Sequence, residues 1–211
     1  MLDCSNSVAA AEPDTIAAAA RVVAGGGIVV YPTETVYGLG ADAYNTRALD
    51  RLLTLKVREP GKPISVLVSD VGMLGGLVRD IPLRAATLMR RFWPGPLTIV
   101  LGARPGVSSV LTGEDDGIGV RVSSHPTATA LVRALGRPIT TPSANPAGQR
   151  PPATVDEARG YFGTRVDGYV DGGCLRGEPA STVIDVRGEW KIIREGAVSR
   201  ATLLAVLQNE S

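Results

Sequence analysis

The sequence holds a single histidine, His125, and two cysteines, Cys4 and Cys174. A His/Cys zinc site, a Ser-His-Asp triad and a disulfide framework each need more of these residues than the chain has. Cys4 lies in a predicted tail and Cys174 stands alone in Gly172-Gly173-Cys174, so both are expected to be unpaired, reduced thiols. A charge excess is missing as well: 22 basic against 21 acidic residues leave +1, so any anion site must be local. Long apolar runs are absent. Ile28-Val29-Val30-Tyr31 and Leu97-Thr98-Ile99-Val100-Leu101 fall far short of the roughly 20 residues that span a bilayer. The first residues lack a basic stretch and the alanines after them are broken by Glu12 and Pro13, which argues against a signal peptide and for a cytoplasmic protein. Neither a P-loop nor a Gly-x-Gly-x-x-Gly dinucleotide fingerprint occurs.

What the chain does have is the composition of a globular protein, 44% hydrophobic and 20% charged over 211 residues, enough to bury a large core. Strand and helix patterns alternate along it. Residues 14–24 carry Ile16, Ala19, Ala20 and Val23 at helical spacing and stop at three glycines, and a buried strand follows over 28–31. Thr46 is expected to cap a helix running to Pro60-Gly61, before a strand over 64–68. Pro82 suits the first turn of a helix ending near Arg91, and Trp93-Pro94-Gly95-Pro96 turns the chain into a strand over 97–102. A strand over 118–122, a helix over 126–135 and an extended piece over 138–141 come next. Thr154 and Glu157 form a capping box for a helix to about Tyr161. Residues 183–186 and 190–193 read as a hairpin, and Ser199 caps a last helix over 200–208. This order predicts an α/β fold with helices packed on a twisted open mixed sheet. With neither linker nor repeat in view, residues 1–12 are expected to be a tail and 13–211 a single domain.

The 15 prolines and 25 glycines cluster at predicted strand ends, where open α/β sheets gather their ligands. Three such loops carry polar chemistry. Tyr31-Pro32-Thr33-Glu34-Thr35-Val36-Tyr37-Gly38-Leu39-Gly40 packs hydroxyls, a carboxylate and a phenol into a loop that can grip a small polar ligand, or can satisfy its own backbone. Lys56, Arg58 and Lys62 place three cations in seven residues at a helix end, which suits a polyphosphate or simple compensation of the helix dipole. Thr140-Thr141-Pro142-Ser143-Ala144-Asn145-Pro146-Ala147-Gly148 follows a short strand and offers amides, a hydroxyl and a carboxamide to a phosphate or an adenine edge, or forms an Asx-turn. Arg121 and Arg194 sit near strand ends, where an arginine is more often exposed than functional.

Seven segments, YPTETVYGLG, KVREPGKP, FWPGPLTIVL, GVRV, TTPSANPAG, STVID and IIREG, together resemble the YrdC-like L-threonylcarbamoyladenylate synthases in order and spacing, over roughly residues 14 to 200. The resemblance implies a YrdC/RibB-like α/β sheet around a cationic cavity. It also implies synthesis of L-threonylcarbamoyladenylate from L-threonine, bicarbonate and ATP, with release of pyrophosphate, for threonylcarbamoyladenosine formation in tRNA. It places threonine on Thr35, with Thr33 nearby, on Thr141 and on Ser181; ATP on Lys56, Arg58, Lys62, Ser143, Asn145 and Arg194; and Arg121 beside both ligands. Lys56 and Arg58 are the residues expected to neutralise the reacting triphosphate. A magnesium ion is expected with the ATP, held by phosphate and water rather than by protein ligands. A downstream threonylcarbamoyl-transfer complex is the expected consumer of the product, and contact with tRNA or double-stranded RNA is a further expected interaction.

This chain departs from the family pattern at three places. Leu67 stands where some members carry a threonine-contacting histidine, Lys62 where asparagine or serine is common, and Pro146-Ala147-Gly148 where Leu-Ser-Gly is frequent. The C-terminal domain of longer members is expected to be missing. A carbamoyl-transferring relative, an RNA-binding module and a dihydroxybutanone phosphate synthase are the competing readings. Chain length speaks against the first, the near-zero charge and lack of an RNA-binding strand signature against the second, and the want of acidic metal motifs against the third.

Overall fold

The structure is a computed structural model and describes residues 11–57, 61–175 and 179–208. Helix α1 (Pro13–Ala24) starts with proline, whose fixed φ suits a first turn, and buries Ile16, Ala19, Ala20 and Val23 as the spacing predicts. Strand β1 (Val29–Pro32) is buried along its whole length: Val30 faces one apolar cluster, and Val29 and Tyr31 face a second one with α1. Strand β2 (Tyr37–Gly40) lies inside the Thr-rich segment that the sequence presents as a loop. Helix α2 (Thr46–Lys56) is capped by Asn45, whose side chain accepts from the Ala48 amide at 3.1 Å, and not by Thr46. It ends at Lys56 with Val57 in the left-handed region, short of the expected Pro60-Gly61 stop.

Strand β3 (Val66–Leu67) is shorter than its apolar run, and a 3-10 stretch over 71–76, capped by Asp70, leads to α3 (Leu83–Phe92). Strand β4 (Leu97–Gly102), the short helix α4 (Ser109–Thr112), β5 (Gly117–Arg121), α5 (Pro126–Leu135) and β6 (Ile139–Thr140) follow. Helix α6 (Val155–Phe162) carries the predicted capping pair, with Thr154 accepting from the Glu157 amide while the Glu157 carboxylate accepts from Ala153. The chain closes with β7 (Gly168–Tyr169), the antiparallel pair β8 (Thr182–Asp185) and β9 (Lys191–Arg194), and α7 (Arg200–Leu207) behind its Ser199 cap.

The strands form two mixed sheets, β2-β1-β7 and β6-β3-β5-β4-β8-β9, in place of one. They meet at a seam where β2 and the residues after it run antiparallel to 138–144. There the Leu39 amide donates to Pro142 O at 2.8 Å, the Ala43 amide to Pro138 O at 3.0 Å, and the Ala144 amide to Tyr37 O at 2.8 Å. Thr140, fully buried, uses its side chain as a ladder group: Oγ1 accepts from the Ala41 amide and donates to Leu39 O, both at 2.8 Å. Seen this way the fold is the expected twisted mixed sheet with a seam.

Cys174 is disulfide-bonded, which corrects the expectation of a reduced thiol at that position. Pairing depends on proximity in space, which sequence separation does not encode; the chain's other cysteine, Cys4, lies outside the described residues. Among the described residues no helix is long and apolar enough to cross a membrane.

The seam has a direct test. Thr140→Val keeps the shape but strands a buried amide and a buried carbonyl, so unfolding free energy should fall by about 2 kcal/mol. Chemical denaturation of the two proteins measures the difference.

Candidate active site

One face of β4, β5 and β8 is core and the other is a cavity floor. Leu97, Ile99, Leu101, Ile118, Val120 and Ile184 point into the core, while Thr98, Val100, Gly117, Gly119, Arg121, Ser181 and Val183 line a cavity of about 410 Å³. The alternation read from the sequence of β5 is therefore real, yet every residue of the strand is buried, because both of its faces are covered. Glycine at 119 is required by space: a Cβ there would stand 3.2 Å from both the Ser65 and Thr98 side chains. The opposite wall comes from the seam, with Thr33, Thr35 and Val36 of the turn between β1 and β2 and Gly38 of β2 on one side, and Thr141, Pro142 and Ser143, which follow β6, on the other.

The two predicted arginines enter this cavity in different states. Arg121 is 3% exposed, against the expectation for a strand-end arginine. Its Nη1 donates to Glu34 Oε1 at 3.0 Å and its Nη2 to Thr141 Oγ1 at 3.5 Å, while its buried Nε has no partner. Arg194 lies at the mouth, where its Nη2 donates to Ser181 O at 2.8 Å and Ser181 Oγ at 3.2 Å, and among the described residues it makes no ion pair. Burial of its guanidinium, and after that the like charge of Arg121, lower its pKa. A β-bulge explains how it reaches the site. Val183 pairs with Arg194 but Ile184 pairs with Ile192, so Ile193 is an extra residue and both Ile193 and Arg194 line the cavity. A third cation, Arg187, is matched by Asp185 at 2.7 Å and Asp115 at 2.8 Å.

Of the sequence-predicted site residues, Thr35, Lys62, Arg121, Thr141, Ser143, Ser181 and Arg194 converge on this one cavity, with Thr33 beside them. Thr33 also organises its own turn, its Oγ1 donating to Val36 O at 2.7 Å, as the reading of a loop that satisfies its own backbone expects. Lys56 and Asn145 do not line the cavity. Lys56 is 4% exposed and its ammonium donates to Ser143 O and Asn145 O, both at 2.6 Å, beneath the loop that carries Ser143. Asn145 donates to Pro146 O and to Gln149 O, at 2.9 and 2.7 Å, and leaves a buried Oδ1 without a partner. Arg58 lies outside the described residues. Leu67 is fully buried in the apolar cluster behind the sheet.

Sequence reasoning did not single out Glu34, Ser123, Ser65 or the Asp115–Arg187 pair as site residues. Glu34 and Arg121 are 87 positions apart, so only the fold shows their contact. The Gly-x-Gly-x-Arg spacing of β5, with period two, was the one available signal for the floor. A second, more open cavity of about 600 Å³, bounded by Val71, Met89, Trp93 and Val122, holds none of the predicted residues.

Residues 21–196 match the profile of the Sua5/YciO/YrdC family, described as telomere recombination. The chain belongs to this family. It is 35% identical over 208 residues to a threonylcarbamoyl-AMP synthase of Bacillus subtilis (strain 168), covering 98% of this chain and 60% of that relative. The structure of P. abyssi Sua5 complexed with L-threonine is similar at a TM-score of 0.89 and 36% identity, over 93% of this chain and 58% of that one. E. coli YciO gives a TM-score of 0.82 at 29% identity, over 91% and 93% of the two chains. The chain thus spans about three-fifths of the Bacillus and P. abyssi proteins.

His125 lies outside the cavity lining. It caps α5, its Nδ1 accepting from the Thr127 amide at 3.2 Å, while Nε2 is buried without a partner. Burial pushes its pKa down from 6.5 to about 4, against the opposing charge of Glu34. The unfolded chain therefore binds the extra proton first as the pH drops. The stability that neutral His125 contributes is complete above about pH 6.5 and is lost as the pH falls through about 4. His125→Asn keeps a capping acceptor without the titration. Its unfolding free energy should depend less steeply on pH across that window, with most activity at neutral pH retained; denaturation at a series of pH values, beside turnover, checks both.

Proposed function

We propose that residues 13–211 act as one L-threonylcarbamoyladenylate synthase unit. The threonine amine takes up bicarbonate to form a carbamate with loss of water, and the carbamate oxygen then attacks the α-phosphate of ATP, releasing pyrophosphate. The observation that carries this reading is the convergence of seven predicted threonine and ATP residues on one cavity of a size suited to small ligands. The names of the Bacillus synthase and of the threonine complex of Sua5 support it.

Among the described residues that line the cavity there is no cysteine and no histidine, and the protein's contribution is placement and charge. Thr35, Thr141 and Ser181 present oxygens to the amino acid, beside Arg121. Ser143, Lys62 and Arg194 serve the triphosphate. Lys56 acts from below, pinning the carbonyls on either side of Ala144 so that the loop bearing Ser143 keeps its shape.

Magnesium bound to the ATP phosphates would supply charge neutralisation. Among the described residues no group of three or more acidic, histidine or cysteine side chains could hold a metal, and Asp115, the one carboxylate in the lining, is engaged by Arg187. Phosphate and water therefore suit the ion, and no protein ligand is assigned. The acyl-adenylate product is consumed by a threonylcarbamoyl-transfer complex acting on tRNA, in the cytoplasm.

Pyrophosphate release from ATP by the purified chain should require both threonine and bicarbonate; release without either one contradicts the proposal. Valine should be at least about a hundredfold less efficient than threonine, because the polar partners of the missing hydroxyl would be buried unpaired. Steady-state comparison of the two amino acids measures this.

A further inference from the structure

The arginines of the cavity differ in what balances them. Among the described residues Arg194 meets the carbonyl and hydroxyl of Ser181 and no carboxylate, so its charge is available to an anion. Arg121 is balanced by Glu34 in a pair whose side chains are 4% and 13% exposed. Glu34 is in turn fixed from its other oxygen: Ser123 Oγ donates to Oε2 while accepting from the His125 amide at 3.1 Å. Glu34 does not itself line the cavity. What remains is a guanidinium whose charge is matched by Glu34 and one buried, unpartnered donor, Nε.

A zwitterionic amino acid brings no net charge, and a site with an uncompensated cation would bind phosphate in its place. We propose that Glu34, held by Ser123, is a positioning and specificity residue: it cancels the charge of Arg121 so that this end of the cavity accepts a zwitterion by hydrogen-bond direction and refuses the phosphates that the Arg194 end takes. This rests on the synthase reading, but it makes a separate demand, namely that removing a negative charge outside the lining changes which ligand the amino-acid end prefers.

Calorimetric titration of threonine into the full chain, with and without millimolar inorganic phosphate, tests it. In the wild type, phosphate should leave threonine affinity within about twofold, because the two bind different ends. In Glu34→Gln, which keeps a hydrogen-bond acceptor for Arg121 but not the charge, phosphate should compete and lower the apparent threonine affinity about tenfold. Glu34→Asp restores the charge and should restore the insensitivity to phosphate, even where the shorter side chain weakens threonine itself. A folded Glu34→Gln protein in which phosphate leaves threonine binding untouched overturns the proposal, and so does equal competition in the wild type. Should the lone buried charge prevent folding, Glu34→Gln with Arg121→Gln removes both; threonine affinity should then drop about tenfold or more without phosphate competition. Threonine binding at wild-type strength in that double variant also overturns it. A wild type that binds no threonine at all would instead remove the synthase reading.

Discussion

The segment from Pro138 to Asn145 is the part on which the remainder rests. On one side it is hydrogen-bonded to β2 and the residues after it, on the other β6 pairs with β3, and from beneath the Lys56 ammonium holds two of its carbonyls. A buried ammonium is tolerable only when its donors are used, and carbonyls at 2.6 Å use them. The same eight residues join the two sheets and deliver Thr141 and Ser143 to the cavity. Sheet continuity and site geometry are thus one constraint.

Compensation among the cations is the second organising fact. Three arginines approach one cavity, and like charges at this density would repel strongly in a partly dry setting. Glu34 answers Arg121, and Asp115 with Asp185 answers Arg187. The exception stands at the open rim, where solvent is available until a ligand arrives. A net charge of only +1 for the whole chain and a strongly polarised cavity are therefore compatible, since the matching is done locally.

Much of this was legible in the sequence where the signal is local. Helices α1, α5, α6 and α7 follow from apolar spacing and caps that lie within a few residues of one another, and the capping pair Thr154–Glu157 is a four-residue pattern. Strand β2 was hidden because threonines, tyrosine and glycines look like a loop until the seam supplies a pairing partner. Thr46 was preferred to Asn45 as a cap although both are capping residues and only one can occupy the position. Lys56 shows what only the fold supplies: the basic motif is local, but nothing in it announces that the distant Ser143 and Asn145 carbonyls accept from its ammonium. The disulfide of Cys174 and the pairing of Arg121 with Glu34 were invisible for the same reason.

The floor laid down by Gly117 and Gly119 has a consequence of another kind. Since this strip of β5 is bare backbone, a ligand resting on it meets no rotamers that must be frozen and no side chain that could swing aside. Its shape is as rigid as the sheet. A single methyl at 119 would press on Ser65 and Thr98, and one at 117 would come within 2.7 Å of the Arg187 guanidinium. The room available to a ligand here is thus set by two absent side chains, and any side chain added at either position would narrow the cavity and press on the polar groups that line it.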